Sequence, residues 1–149
     1  MKEPIPNLAW MSIIFGLVLL LLSCKKEGCT DSDAVNFDSE AKKSDNSCIY
    51  ESLKVFWYNE STASALVSTG AVTLTFYVDG QIVGSTAANV FWNLPPECLD
   101  GGSVTVTKEL GSVTTQSYSY SVKDQTEWEY WAGNLNWNAN TCEAIELTP

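Results

Sequence analysis

Carboxylates are the only conventional catalytic groups in this sequence. There is no histidine and no arginine among its 149 residues. A Ser-His-Asp triad or a Cys-His pair therefore cannot be assembled. No glycine-rich phosphate loop follows a strand, since Asp100-Gly101-Gly102 precedes one. Glu127 and Glu129 are two residues apart, so on a strand they share a face at about 6–7 Å, near the spacing of a glycosidase pair. Two glutamates on an exposed strand more commonly serve as solvated charge that protects an edge. The sequence is accordingly read as non-enzymatic.

Aromatic side chains offer a second kind of chemistry. Trp57, Tyr58, Tyr77, Trp92, Trp128, Tyr130, Trp131 and Trp137 crowd the last hundred or so residues. In regular strands the neighbours Trp57 and Tyr58 point to opposite faces, and so do Tyr130 and Trp131. An exposed ring beside Asn or Glu suits a sugar, with the apolar sugar face on the ring and hydroxyls on the polar groups. The candidates are Trp131 with Glu129, Tyr77, and Trp137 with Asn136 and Asn138. The competing reading is that large aromatics fill a thin sandwich and cover its edges.

Oxygen ligands are a third possibility. Asp31, Asp33, Asp38 and Asp45, with Asn36 and Glu40 between them, could form a calcium loop, because calcium takes six to eight oxygens. Asp31-x-Asp33 lacks the third ligand and the glycine of an EF-hand loop. The same residues also serve turns and caps: Asp33 could cap a short helical turn and Asn46 hold a left-handed corner. No other cofactor is indicated.

Five cysteines punctuate the chain. The first, Cys24, ends an apolar run from Leu8 to Leu22 in which Ser12 is the one polar residue. That run is shorter than the about 20 residues of a membrane span and matches the core of a secretory signal peptide. Leu21-Leu22-Ser23-Cys24 resembles the bacterial lipoprotein box. The resemblance implies cleavage behind Ser23 and diacylation of Cys24, which makes the membrane a partner through lipid and places the chain in the cell envelope, at the outer membrane. Two acyl chains suffice for a stable anchor where one does not. Cys24-Lys25-Lys26-Glu27-Gly28 then reads as a tether, and a lysine followed by an acid here resembles the surface-export signal of Bacteroidota lipoproteins.

Cys29, Cys48, Cys98 and Cys142 remain, an even number suited to disulfides in an oxidising compartment, with three possible connectivities. The first two lie in a polar segment and the last two in a β-rich one, which favours Cys29–Cys48 and Cys98–Cys142. A zinc site is disfavoured by the lack of C-x-x-C spacing and of histidine. Gly28-Cys29-Thr30-Asp31, Ala34, Asn36, Ala41, Asp45 and Ser47-Cys48 also resemble a cysteine-bounded motif recurring in exported Bacteroidota proteins. That resemblance implies a small disulfide-closed unit and no activity.

From Glu51 the hydropathy alternates with period two. Val72, Leu74, Phe76 and Val78 are expected to share a face, Asp79-Gly80 to make a tight hairpin, and Ile82 to return inward. Asn59 to Gly70 is read as a connection, with no helix after Cys48. Seven or eight short strands follow from the turn signals. The expected fold is all-β: a single small antiparallel β-sandwich, Ig-like or barrel-like. The organisation is then 1–23 leader, 24–28 tether, 29–50 acidic disulfide loop and 51–149 sandwich. The pattern from the early Phe56-Trp57 through Thr73–Gln81 to the Trp-rich late strand resembles small all-β domains of exported Bacteroidota proteins. A net charge of −10 without arginine excludes binding to nucleic acid through phosphates. The expectation is a surface binding or structural module whose partner is a polysaccharide or another surface protein.

Overall fold

The structure is a computed structural model and describes residues 25–148. The leader and Cys24 lie outside the described residues. Nine strands occur in it: β1 (Glu27–Gly28), β2 (Lys43–Ser44), β3 (Tyr50–Trp57), β4 (Thr73–Val78), β5 (Gln81–Ala87), β6 (Val104–Gly111), β7 (Thr115–Asp124), β8 (Glu129–Asn138) and β9 (Cys142–Glu146). The short pair β1–β2 belongs to the neck, and the other seven form two sheets. One sheet has the order β6-β3-β9 and the other β5-β4-β7-β8, and they are not closed into a barrel. The small β-sandwich expected from the alternation is therefore present, in an open rather than a closed form. One strand departs from it: β9 runs parallel to β3, with Leu53 opposite Cys142 and Trp57 opposite Glu146.

A helix also departs from expectation. α1 (Glu60–Ser68) occupies the segment read as a connection. Its apolar stripe is too sparse to announce it, because Thr62, Ala63 and Leu66 are its buried positions. The local signal was the cap: the Asn59 carboxamide oxygen accepts the N–H of Thr62 at 3.0 Å, an arrangement worth about 1 kcal/mol.

Between the sheets, Leu74, Phe76, Val78, Val122 and Trp137 meet Phe56, Val104 and Val106. Phe56 packs at 5.6 Å from both Phe76 and Tyr120, so one ring joins the two layers. Asp79 and Gly80 take positive φ, 55° and 71°, as a tight hairpin requires. A bulge between Phe76 and Tyr77 then shifts the return strand, so Ile82 pairs with Tyr77 and is 67% exposed rather than inward. Val72 precedes β4 and is also exposed.

β3 is buried on both faces. Phe56 and Tyr58 face the other sheet, whereas Val55 and Trp57 are buried outside the main core. The register explains the cover. Cys142 shares the Leu53 side of the sheet, and its disulfide to Cys98 draws the segment 88–103 across that outer face. The Trp92 N–H donates to the Tyr58 carbonyl at 3.0 Å and the Leu99 N–H to Thr105 Oγ1 at 3.0 Å, which fixes the strap at two further points.

Candidate functional site

The neck gives its aspartates structural work. Asp31, Asp38 and Asp45 recur every seven residues, and each carboxylate accepts the N–H two residues on, at 3.0 Å. These are three successive Asx turns. Asn46 stands at φ 62°, the left-handed corner expected of it. Cys29–Cys48 closes the unit, as anticipated, and Cys29 is buried against the sandwich core. The Tyr50 hydroxyl, at the start of β3, donates to Asp31 at 2.7 Å and joins the neck to the body. Asp38 pairs with Lys26 at 2.8 Å. Asp33 lends its N–H, not its carboxylate, to the first turn. Among the described residues, no three acidic or cysteine side chains gather as a cation site would.

These contacts set how the neck titrates. The Tyr50 hydroxyl, then the Asp33 N–H, holds the Asp31 carboxyl below its ordinary value. Lys26 and the Glu40 N–H do the same for Asp38, and the hydroxyl and N–H of Ser47 for Asp45. A depressed folded-state pKa means that the unfolded chain takes up protons first as pH falls. The stabilisation is thus complete above the ordinary carboxylate value of about 4 and is lost as pH falls through the depressed values. Tyr50→Phe should move the Asp31 carboxyl upward, read by NMR titration, while leaving Asp45 where it is. An unmoved Asp31 would show that the hydroxyl contact is not formed.

The aromatic candidates separate. Trp137 is 0% exposed and sits between the sheets, so it offers no face to a sugar. Tyr118 meets it edge-on at 6.1 Å, and Lys54 Nζ lies 5.4 Å from its ring centre. Lys54 is itself buried and paired with Glu143. Tyr130 and Trp131 do not diverge as regular strand neighbours would. A bulge opposite Val122 and Lys123 inserts Tyr130 as the extra residue, and both rings turn toward the core side. Trp131 stacks on Tyr58 at 6.4 Å, and its indole N–H donates to the Thr148 carbonyl at 2.7 Å. With α1 the two rings line an apolar recess of about 180 Å³, at whose edge the Tyr130 and Thr69 hydroxyls meet at 2.7 Å. Burial between these elements pushes the Tyr58 phenol up to about 12.

Tyr77 and Glu129 fall together on the outer face of the four-stranded sheet. Tyr77 lies beside Ser121 and Ile82, and Glu129 lies opposite Lys123, whose Nζ stands 5.5 Å from the Tyr77 ring centre. Glu127 is not on a strand. It occupies the β7–β8 turn at φ 67° and pairs with Lys123 at 3.6 Å, so Glu127 and Glu129 do not form the facing pair that the spacing suggested.

The same outer face holds Asn136 and Asn138, named from the sequence beside Trp137, together with Asn134 and a run of hydroxyls that were not singled out. The β7–β8 register sets Thr115 beside Asn138, Ser117 beside Asn136, Ser119 beside Asn134 and Ser121 beside Ala132. Thr115 Oγ1 donates to Asn138 Oδ1 at 3.0 Å. Three successive rows therefore pair a hydroxyl with an amide, and the fourth extends through Ser121 to the Tyr77 ring. All the Asn side chains and Ser117 and Ser119 are exposed. None of these rows carries a charge, on a chain of net charge −10. The alternations Ser117-x-Ser119-x-Ser121 and Asn134-x-Asn136-x-Asn138 were visible, but only the hairpin register shows that they are neighbours.

Comparison with known proteins finds no family model, no curated protein and no solved structure that matches this chain.

Proposed function

We propose that the chain is a lipid-anchored cell-envelope protein whose sandwich is a non-catalytic binding module for a neutral polysaccharide. The anchor is Cys24 in its lipoprotein-box setting, and the likeness to exported Bacteroidota proteins supports an outer-membrane location. The observation that carries the ligand class is the uncharged hydroxyl–amide ladder leading to Tyr77. Hydroxyls and amides both donate and accept, as sugar hydroxyls do. The Tyr77 ring supplies a stacking surface, and a neutral ligand avoids repulsion by the acidic body. The ladder is exposed and runs along the β7–β8 hairpin, which suits an extended polymer rather than a small molecule that needs enclosure.

Affinity electrophoresis of the protein through gels containing neutral or acidic polysaccharides tests this. Retardation by a neutral glycan should fall about tenfold in Tyr77→Ala, the loss of about 1.4 kcal/mol. Asn136→Ala should weaken it, and Trp131→Ala should not. Equal retardation of Tyr77→Ala and the native chain would remove the outer face as the site. A loss confined to Trp131→Ala would move the site to the recess beside α1.

A further inference from the structure

The free edge of β8 supports an inference that does not depend on the ligand. Among the described residues β8 pairs with β7 alone, so it ends its sheet. Its backbone polarity can be read from two bonds. The Asp79 N–H reaches the Ser119 carbonyl at 2.9 Å, so odd residues of β7 turn toward β4 and even ones toward β8. The Ala139 N–H reaches the Thr114 carbonyl at 2.8 Å, which agrees. By alternation the N–H and C=O groups of Ala132, Asn134 and Asn136 point away from β7, toward the open edge. These three residues are exposed.

Edge strands are normally guarded by charge, proline, a bulge or short length. The other edges carry such guards. β6 bears Lys108 and Glu109, β9 bears Glu143 and Glu146, and β5 is broken by the bulge opposite Phe76 and Tyr77. β8 is different. From Tyr130 to Asn138 it has no charged residue and no proline. Its one bulge lies at Tyr130, so the stretch from Trp131 onward pairs with β7 without a shift. The C-terminal segment meets the beginning of β8, where the Trp131 indole N–H donates to the Thr148 carbonyl.

We propose that β8 is a docking strand for a second copy of this chain, paired antiparallel about Leu135. That register is self-complementary. It sets Asn134 against Asn136 of the partner in hydrogen-bonded pairs, for about four backbone bonds. Carboxamides both donate and accept, so identical Asn side chains satisfy one another where identical charges would repel. The two four-stranded sheets then merge into one of eight strands, and the two ladders form one continuous uncharged face. The net charge of −10 on each copy opposes the approach, so salt that screens this repulsion tightens the dimer.

Sedimentation of the full chain in detergent, at high micromolar concentration and in low and high salt, reads the outcome directly. The protein mass should be twice that of one chain, and more completely so at high salt. Asn134→Pro and Asn136→Pro delete edge N–H groups that no bond among the described residues uses, and each should return the mass to one chain with an unchanged circular-dichroism spectrum. If either proline variant loses the native spectrum, Asn134→Lys/Asn136→Lys, which introduces like charges along the edge, should do the same with the fold intact. A native chain that sediments as a monomer at both salt concentrations overturns the proposal. So does a dimer that survives a folded proline or lysine variant. Tyr77→Ala, on β4 and away from the β8 edge, should lose glycan retardation and still sediment as a dimer, so failure here and failure of the ligand assignment are distinguishable.

Discussion

Cys98→Ser/Cys142→Ser lowers the unfolding free energy of the sandwich by about 4 kcal/mol, because the bridge closes a long loop of the unfolded chain. The bridged residues are 44 apart in sequence, against 19 for Cys29–Cys48. The native state also loses something. Cys142 pairs with Leu53 in the β3–β9 register, and the bridge ties down the 88–103 strap, whose Val90, Trp92 and Gly102 share a pocket with Trp57 and whose Leu99 bonds Thr105, the β6 partner of Val55. Without it the buried Val55 and Trp57 side chains become partly hydrated, which adds to the loss. A domain of this size has about 5–15 kcal/mol to lose. Equilibrium urea denaturation should show a lower midpoint in the variant. The companion Cys29→Ser/Cys48→Ser should lower the midpoint less, because its closed loop is the shorter of the two. Equal midpoints for the two variants would mean that the strap does not depend on its bridge.

Trp137→Ala should cost about 3–5 kcal/mol, the range for emptying the site of a buried large aromatic. Trp137 is the largest of the fully buried side chains and lies on β8, opposite Lys54 of the other sheet. Removing the indole leaves a cavity between the layers and takes the ring from beneath a buried ammonium group, whose remaining ion partner is Glu143 on an edge strand. One feature softens the loss: among the described residues the Trp137 Nε1–H has no acceptor, so no hydrogen bond is lost with the indole. Urea denaturation followed by circular dichroism measures the difference. Trp131→Ala, by contrast, empties a partly exposed recess and should cost less. A Trp137→Ala variant within 1 kcal/mol of native, as in a surface change, would mean the sheets do not pack through this ring.

Much of the fold was legible because it is locally determined. Asp79-Gly80 writes its own hairpin, since both positions adopt positive φ. The alternation through Leu74, Phe76 and Val78 marks a half-buried strand in one sheet of a sandwich. The two disulfides followed from composition, one cysteine pair in the acidic loop and one in the body. What escaped was decided at a distance. A bulge has no residue signature of its own, so Tyr130 and Trp131 read as diverging neighbours although both turn to the core side. α1 has too few apolar residues to show a period, and Leu66 with Thr62 and Ala63 acquires meaning only when sheet and helix meet. Trp137 looked like a platform beside Asn136 and Asn138, yet in a strand the neighbours of an exposed residue point inward. For the same reason the Asn residues beside it, and not the tryptophan, reach the surface.

The parallel pairing of β3 with β9 has a mechanical meaning. β3 begins just after the Cys48 end of the neck, and β9 ends beside Leu147, at the opposite end of the same sheet. A pull between neck and C-terminal segment therefore draws the two strands past each other lengthwise. All five residue pairs from Leu53–Cys142 to Trp57–Glu146 bear the load together, where a hairpin pulled from its open end would give way one pair at a time. On the neck side the load enters through the Lys26 carbonyl, held by the Lys42 N–H at 2.8 Å, and crosses the Cys29–Cys48 bridge before it reaches Tyr50. The chain is built to resist shear along the line from its neck to its far end.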